Sequence, residues 1–240
     1  MDQVEPTFWK DRWREGKTAF HEGAASFHLV RHFRLLGLDP GAHVFLPLCG
    51  KTVDIDWLRA QGCRVSGSEL SADATAAVFE RLKVTPEIRQ IRGLHLYSCD
   101  GLDLWQGDFF ELQGVDLGAV DAVYDRAALV AMPPSMRGGY VGHLRGLCGA
   151  VPHLLVTYYY DQTRMDGPPF SVPESDIRAH YEDAFEISPL SSVDIYGALA
   201  ERCSGQEQSW FLCPSGPALG KLASSKLCAI GVQVGRDGSE

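Results

Sequence analysis

Short apolar runs separated by amphipathic segments mark the middle of the chain. Val44 to Leu46 is apolar throughout and predicts a buried strand, and Gly50 then predicts a tight turn before a helix over residues 52–60. A second strand, over residues 64–68, ends in Glu69. Strand and helix continue to alternate after it. This pattern predicts an α/β fold with a doubly wound, mostly parallel sheet.

The remaining periodic segments extend the same architecture. Helices are predicted over residues 24–36, 71–83, 133–148 and 173–181, and strands over 94–98, 102–105, 119–124, 154–160 and 185–195. Asp100-Gly101 lies between two of these strands and predicts a hairpin. Residues 204–225 are rich in Gly, Ser and Pro and are expected to be irregular, with a last strand over 226–234. We expect one domain over residues 1–240.

The N-terminal 40 residues carry two pairs at helical spacing. Trp9 and Trp13 share one helix face, which favours either a lid over a pocket or a surface helix that docks its indoles on the core. His28 and His32 are also four residues apart. They could form a metal pair, but no third ligand follows, so solvent-exposed histidines are the favoured interpretation.

Composition narrows the class of protein. The formal net charge is −9, with a pI of about 5.3, which argues against a nucleic-acid partner. The seven cysteines are odd in number and lack C-x-x-C spacing, so free thiols in a reducing compartment are expected. No apolar run is long enough to span a membrane, and a cytoplasmic location is the expectation.

Charged residues follow several of the predicted strands. Glu69 lies 20 positions after Cys49, the offset at which an acid at a strand end binds a ribose diol. Asp108 follows the third sheet strand, where a carboxylate suits an adenine amino group or simply a turn. Asp125 and Arg126 end the fourth and are expected to face the ligand crevice. The crevice is therefore predicted to bind a nucleoside-bearing cofactor.

Two cofactors suit this fold, a nicotinamide dinucleotide and S-adenosylmethionine. A dinucleotide needs a G-x-G-x-x-G turn so that the backbone can approach its pyrophosphate. The turn over residues 47–51 has only Gly50. S-adenosylmethionine has no phosphate, and its sulfonium cation favours aromatic faces and negative charge. The sequence therefore favours the methyl donor.

Five ordered motifs carry a more specific resemblance. They are Trp9-x-x-x-Trp13-x-x-Gly16-Lys17-Thr18-Ala19-Phe20, Pro47-Leu48-Cys49-Gly50-Lys51, Glu69-Leu70-Ser71, Asp125-Arg126-x-Ala128-Leu129 and Gly167-Pro168-Pro169-Phe170. Together they resemble the thiopurine S-methyltransferase family, over about residues 8–195. The resemblance implies a class I methyltransferase fold, a Rossmann-like seven-stranded sheet that is parallel except for its last strand, beneath N-terminal lid helices.

The resemblance also implies roles for individual residues. It assigns cofactor contacts to Trp9, Leu48, Glu69, Asp108, Phe109 and Arg126, and substrate contacts to Phe20 and Arg126. Glu69 would bind the ribose hydroxyls, and the pair at 108–109 would contact adenine. Arg126 would position the reactants at their boundary, with no acid or base assigned and no metal.

The expected reaction is methyl transfer from S-adenosyl-L-methionine to the sulfur of a heterocyclic or aromatic thiol, giving S-adenosylhomocysteine. Such thiols ionise near neutral pH, so orientation in a dry pocket is expected to dominate catalysis. Cys49 is interpreted as a packing residue and not as a nucleophile. The partner is a small-molecule thiol, and the protein is expected to be a monomer. The alternatives are methylation of thiocyanate, halide or selenium species, and a non-catalytic protein that binds the cofactor.

Overall fold

The computed structural model describes residues 23–215. The helices are α1 (Phe27–His32), α2 (Asp54–Ala60), α3 (Ala72–Leu82), α4 (Gly114–Leu117), α5 (Pro134–Cys148), α6 (Glu174–Tyr181) and α7 (Gly197–Ala200). The strands are β1 (His43–Leu46), β2 (Arg64–Glu69), β3 (Glu87–Ile91), β4 (Leu94–Cys99), β5 (Leu102–Gln106), β6 (Ala122–Arg126), β7 (His153–Tyr160), β8 (Phe185–Asp194) and β9 (Gly205–Pro214). Single 3₁₀ turns cover Phe33–Leu36, Phe109–Glu111, Leu129–Ala131 and Gln162–Arg164.

All nine strands form one sheet, in the order β3-β4-β5-β2-β1-β6-β7-β9-β8. Strands β5, β2, β1, β6 and β7 pair in parallel, whereas β9 runs antiparallel to both of its neighbours. The seven strands from β5 to β8 in this order therefore form the predicted sheet, in which only β9, the last described strand along the chain, is antiparallel. The predicted fold class is confirmed, and β3 and β4 extend it at one edge.

Apolar side chains cover both faces of the sheet. Val44, Ala122 and Leu154 pack with α2 and α3 on one face, while the residues next to them, such as Phe45 and Leu155, pack with α5 and α6 on the other. Successive strand residues point to opposite faces, so a strand that is apolar throughout serves both cores. No helix within residues 23–215 is both long and apolar enough to cross a membrane.

The hairpin of β4 and β5 confirms one prediction, and β3 is an additional strand at this edge. Strands β4 and β5 pair antiparallel with Cys99 opposite Leu102, so Asp100-Gly101 is the predicted two-residue turn. Strand β3 was not predicted. It is an edge strand whose first four residues, from Glu87 to Gln90, are exposed, so no core pattern marks it.

The expectation that residues 204–225 are irregular is wrong for Gly205–Pro214. This segment is β9, which pairs along its length with both β7 and β8. Its residues alternate between the faces, but Glu207 and Ser209 occupy inward positions and are buried against other polar groups. Because these inward positions are polar, the hydrophobic pattern of the sequence does not predict the strand. Residues 216–225 and the predicted strand 226–234 lie outside the described residues.

Candidate functional site

Backbone amides of the turn after β1 donate hydrogen bonds to the end of β2. The Leu48 amide donates to Ser68 Oγ at 3.1 Å, and the Cys49 amide donates to the Ser68 carbonyl oxygen at 2.8 Å. Leu48 and Gly50 have φ angles of 46° and 56°, in the left-handed region. These bonds bring the loop to the carboxyl edge of the sheet, where ligands bind in this topology.

Glu69, the last residue of β2, lies between the turn after β1 and the turn after β2. It is only 5% exposed. Its Oε2 accepts from the Gly50 amide at 2.8 Å, and its Oε1 accepts from the Ser71 amide at 2.6 Å. Burial raises the pKa of this carboxyl from 4.5 to about 7, although these backbone bonds oppose the shift. An ionised carboxylate has roughly four acceptor sites, so Glu69 keeps capacity for hydroxyl groups of a ligand.

Cys49 packs beneath this turn. Its thiol is buried, and burial together with the nearby Glu69 raises its pKa far above the ordinary value. The thiol is therefore neutral and a poor nucleophile. The close packing depends on Gly67, since a Cβ at that position would lie 2.7 Å from Cys49 Sγ and 2.9 Å from Leu104 Cδ2.

The turn after β5 reaches the same edge. The Gly107 amide donates to the Glu69 carbonyl oxygen at 2.9 Å. Asp108 follows it, is exposed, and accepts from the Phe110 amide at 2.9 Å. Phe109 is buried and packs against Tyr140, with ring centroids 5.3 Å apart. Asp108 is thus placed beside the predicted crevice, while the Phe109 ring belongs to the core, and its contact with a cofactor stays a prediction.

The last two residues of β6 point to opposite faces. Asp125 is fully buried and accepts from the Tyr140 hydroxyl at 2.6 Å and from the Leu129 amide at 3.1 Å. Burial raises its pKa to about 6. The Arg126 side chain is 12% exposed, and its Nη1 lies 3.6 Å from Asp54 Oδ2. Asp125 therefore holds the loop after β6, and Arg126 faces the side of α1 and α2.

A cluster of buried polar groups surrounds Arg126. Asp54 accepts from the Ser26 amide at 2.7 Å and from the Tyr124 hydroxyl at 3.0 Å. On the other side, Glu207 Oε1 of β9 lies 3.8 Å from Arg126 Nε. The sequence predicted Asp54 only as part of the helix over residues 52–60 and gave no role to Glu207. No signal marked Glu207 as inward, because its strand was not predicted.

The expectation that both histidines of α1 are solvent-exposed is wrong for His28, which is 1% exposed. Its Nδ1 lies 3.0 Å from Ser191 Oγ, and His32 Nε2 lies 2.9 Å from the same oxygen. The i, i+4 spacing therefore brings both imidazoles to the same hydrogen-bond partner, Ser191 on β8. Within residues 23–215, no group of three or more His, Cys, Asp or Glu side chains is placed to hold a metal ion.

Four of the predicted site residues lie at or just beyond the carboxyl ends of β1, β2, β5 and β6: Leu48, Glu69, Asp108 and Arg126. Trp9 and Phe20 lie outside the described residues. The buried carboxyl of Glu69 suits a ribose diol, and the acids around Arg126 suit a cationic sulfonium. The single glycine of the first turn offers no cradle for a pyrophosphate. The residues present therefore fit S-adenosylmethionine better than a dinucleotide.

Sequence similarity relates the chain to one family of known proteins. The sequence model of the family described as Thiopurine S-methyltransferase matches residues 4–210. A thiopurine S-methyltransferase of Xanthobacter autotrophicus is 46% identical over 211 residues, which is 87% of this chain and 99% of the relative. One from Gluconobacter oxydans is 42% identical and covers 88% of this chain and 96% of its own.

Solved structures show the same fold at low identity. Magnesium protoporphyrin IX methyltransferase of Synechocystis with bound S-adenosylhomocysteine is 16% identical, has a TM-score of 0.57, and aligns over 86% of this chain and 99% of its own. A 1,6-didemethyltoxoflavin N1-methyltransferase of Burkholderia thailandensis is also 16% identical, with a TM-score of 0.58 and 86% of each chain covered.

Proposed function

Since the chain belongs to the thiopurine S-methyltransferase family, we propose that it methylates the sulfur of small heterocyclic or aromatic thiols, such as thiopurines. The methyl donor is S-adenosyl-L-methionine. The observation that carries the proposal is the buried Glu69 carboxyl between Gly50 and Ser71, at the carboxyl edge of the sheet. It offers acceptor oxygens for a ribose beside a turn whose single glycine provides no cradle for a pyrophosphate.

The chain's own groups supply binding and orientation. When bound, the cofactor supplies a methyl group on a sulfonium that is already activated, so no covalent intermediate with the protein is needed. Glu69 would accept hydrogen bonds from the ribose hydroxyls, and Asp108 would accept one from the adenine amino group. Holding two reactants in line contributes up to about 7–11 kcal/mol in favourable cases.

Arg126 supports a sulfur substrate that reacts as an anion. Its guanidinium is nearly buried and lies between Asp54 and Glu207. A guanidinium in a site of low dielectric stabilises a thiolate strongly, because little water competes. Methylation of thiocyanate, halide or selenium anions uses the same charge and is the second enzymatic candidate.

A non-catalytic protein is the less favoured alternative. It would be favoured if the C-terminal region failed to complete the fold. Gly205–Pro214 instead forms β9 in the interior of the sheet. Glu207 on that strand reaches Arg126, so the strand also contributes to the candidate site.

The test measures methyl transfer to thiopurines, thiophenols, thiocyanate and iodide, together with binding of S-adenosylhomocysteine. We expect transfer to the aromatic thiols. Arg126→Ala should lower kcat/KM for them about 10- to 100-fold, the value of a hydrogen bond to a charged group, and change S-adenosylhomocysteine affinity less than threefold. Arg126→Lys should recover part of the rate, because it keeps the charge.

The matched control is Arg145→Ala, since Arg145 is a partly exposed arginine paired with Asp183. Circular dichroism and urea unfolding would establish that each variant is folded. A wild-type protein that binds S-adenosylhomocysteine but methylates no thiol of the panel would contradict the proposed substrate class. An Arg126→Ala variant with the wild-type rate would contradict the role of Arg126.

A further inference from the structure

A thiol substrate brings a proton that the reaction must remove, and this inference rests on the proposed function. As the sulfur gains the methyl group, its S–H bond breaks and one proton is released, while the sulfonium becomes a neutral thioether. Heterocyclic and aromatic thiols ionise near neutral pH, whereas an alkyl thiol has a pKa of about 8.5, so only a few per cent of it is ionised there. A buried site that methylates a protonated thiol therefore needs a group that accepts the proton and a route by which it leaves.

Glu207 has the position of such an acceptor. It is 2% exposed, and its Oε1 faces Arg126 Nε at 3.8 Å while its Oε2 faces His28 Nε2 at 3.7 Å. Neither Glu207 Oε1 nor His28 Nε2 has a hydrogen-bond partner within residues 23–215. Buried polar atoms without partners are rare and costly. Two of them close together beside Arg126 indicate a ligand or a transferable proton.

A chain of hydrogen bonds continues from His28 towards the surface. His28 Nδ1 lies 3.0 Å from Ser191 Oγ, which lies 2.9 Å from Nε2 of the half-buried His32. Ser209 Oγ also lies 2.8 Å from Ser191 Oγ. The pairing of β8 with β9 shifts register between Pro189 and Ser191, and such a bulge redirects a side chain. The distortion thus places Ser191 between the two histidines.

We propose that Glu207, His28, Ser191 and His32 form a proton relay that takes the proton of the substrate thiol beside Arg126 and releases it at the protein surface. The thiol proton passes to Glu207 and then to His28 Nε2. His28 Nδ1 gives its proton to Ser191 Oγ, and Ser191 gives its own to His32 Nε2. His32 Nδ1 then releases a proton to water, so one proton leaves for each methyl group transferred.

The surroundings of the relay are consistent with proton transfer. Burial, His28 and Arg31 lower the pKa of His32 to about 4, so this imidazole is neutral between proton transfers. Within residues 23–215, charged groups beside the relay include Arg126 on β6 and Asp54 at the start of α2.

The test breaks the relay at Ser191, which lies between the two histidines, and compares two acceptors. Benzyl thiol is protonated at pH 7, whereas 5-thio-2-nitrobenzoate is already a thiolate. Single-turnover rates would be measured for both acceptors. In Ser191→Ala the ratio of the benzyl thiol rate to the thiolate rate should fall at least about tenfold, as for loss of proton-transfer catalysis. The deficit should shrink as the pH approaches the pKa of the thiol.

Three further variants complete the experiment. Ser191→Thr keeps the hydroxyl and should restore most of the ratio, whereas His32→Gln interrupts the exit and should lower it as Ser191→Ala does. Ser192→Ala is the matched control, because Ser192 is the exposed neighbour and bonds to Gln206. An active wild type with an unchanged ratio in Ser191→Ala, or an equal loss on both acceptors, would overturn the relay. A wild type that methylates neither acceptor would refute the proposed function and the relay with it.

Discussion

Glu69 is expected to make the affinity for the cofactor depend on pH. In the free protein, burial holds the pKa of this carboxyl at about 7, so it is mainly protonated below that pH and ionised above it. Ribose hydroxyls donate hydrogen bonds and therefore bind the ionised form better. Binding must then expel the proton at low pH, and the affinity should fall as the pH falls through 7.

The size of the effect follows from the pKa of Glu69. If only the ionised form binds, the apparent Kd rises by a factor of one plus the ratio of protonated to ionised carboxyl. With a pKa of about 7 the Kd at pH 6 is about tenfold weaker than at pH 8, equivalent to about 1.4 kcal/mol. Close to one proton should be released per ligand bound near pH 6. Titration calorimetry with S-adenosylhomocysteine, in two buffers of different ionisation enthalpy, measures both quantities.

Two variants separate Glu69 from the other groups that titrate in this range, Asp125 among them. Glu69→Gln should bind more weakly at pH 8 and lose the pH dependence. Glu80→Gln makes the same chemical change at an exposed position of α3 and should keep the wild-type profile. A wild-type Kd that stays level from pH 6 to pH 8, or a Glu69→Gln variant with the same slope, would refute the assignment of the ribose to Glu69.

Two other predictions concern stability. Gly67→Ala should lower the free energy of unfolding by about 1–3 kcal/mol in urea titrations, because its Cβ would overlap Cys49 Sγ and Leu104, whereas Gly93→Ala, with open space around its Cβ, should change it by less than about 0.5 kcal/mol. His153 is fully buried with its pKa lowered to about 3, so the unfolded chain binds the extra proton and stability falls as the pH drops below 6.5. Between pH 7 and pH 5 the wild type should lose about 2 kcal/mol relative to His153→Leu, and equal losses in the two proteins would contradict this.

The elements around β1 could be predicted because local and tertiary preferences agree there. Val44, Phe45 and Leu46 are apolar and buried on both faces, so a continuous apolar run is the correct signature of their strand. The carboxyl ends of parallel strands share one edge, and this topology alone places Glu69 and Arg126 at that edge. Glu69 and Arg126 could therefore be predicted, because the position of each depends only on the strand that it ends.

The other half of the site depends on contacts between distant segments. His28 and Ser191 are separated by 163 residues, and no local pattern connects them. The bulge that redirects Ser191 arises from the pairing of β8 with β9, so it cannot be inferred before that pairing is known. Helical spacing did single out His28 and His32, but the identity of their common partner required the fold.

The failure to predict β9 and the chemistry of the site have one physical cause. A central strand normally presents apolar residues to the core, and Phe211 and Cys213 do so on the face that Glu207 and Ser209 share. Burying a carboxylate there costs free energy that Arg126 at 3.8 Å offsets only in part, so stability alone does not explain its presence. Breaks in local rules without a structural compensation are expected at functional sites. In this protein the inward Glu207 that disguises the strand is also the group best placed to receive a proton from the substrate.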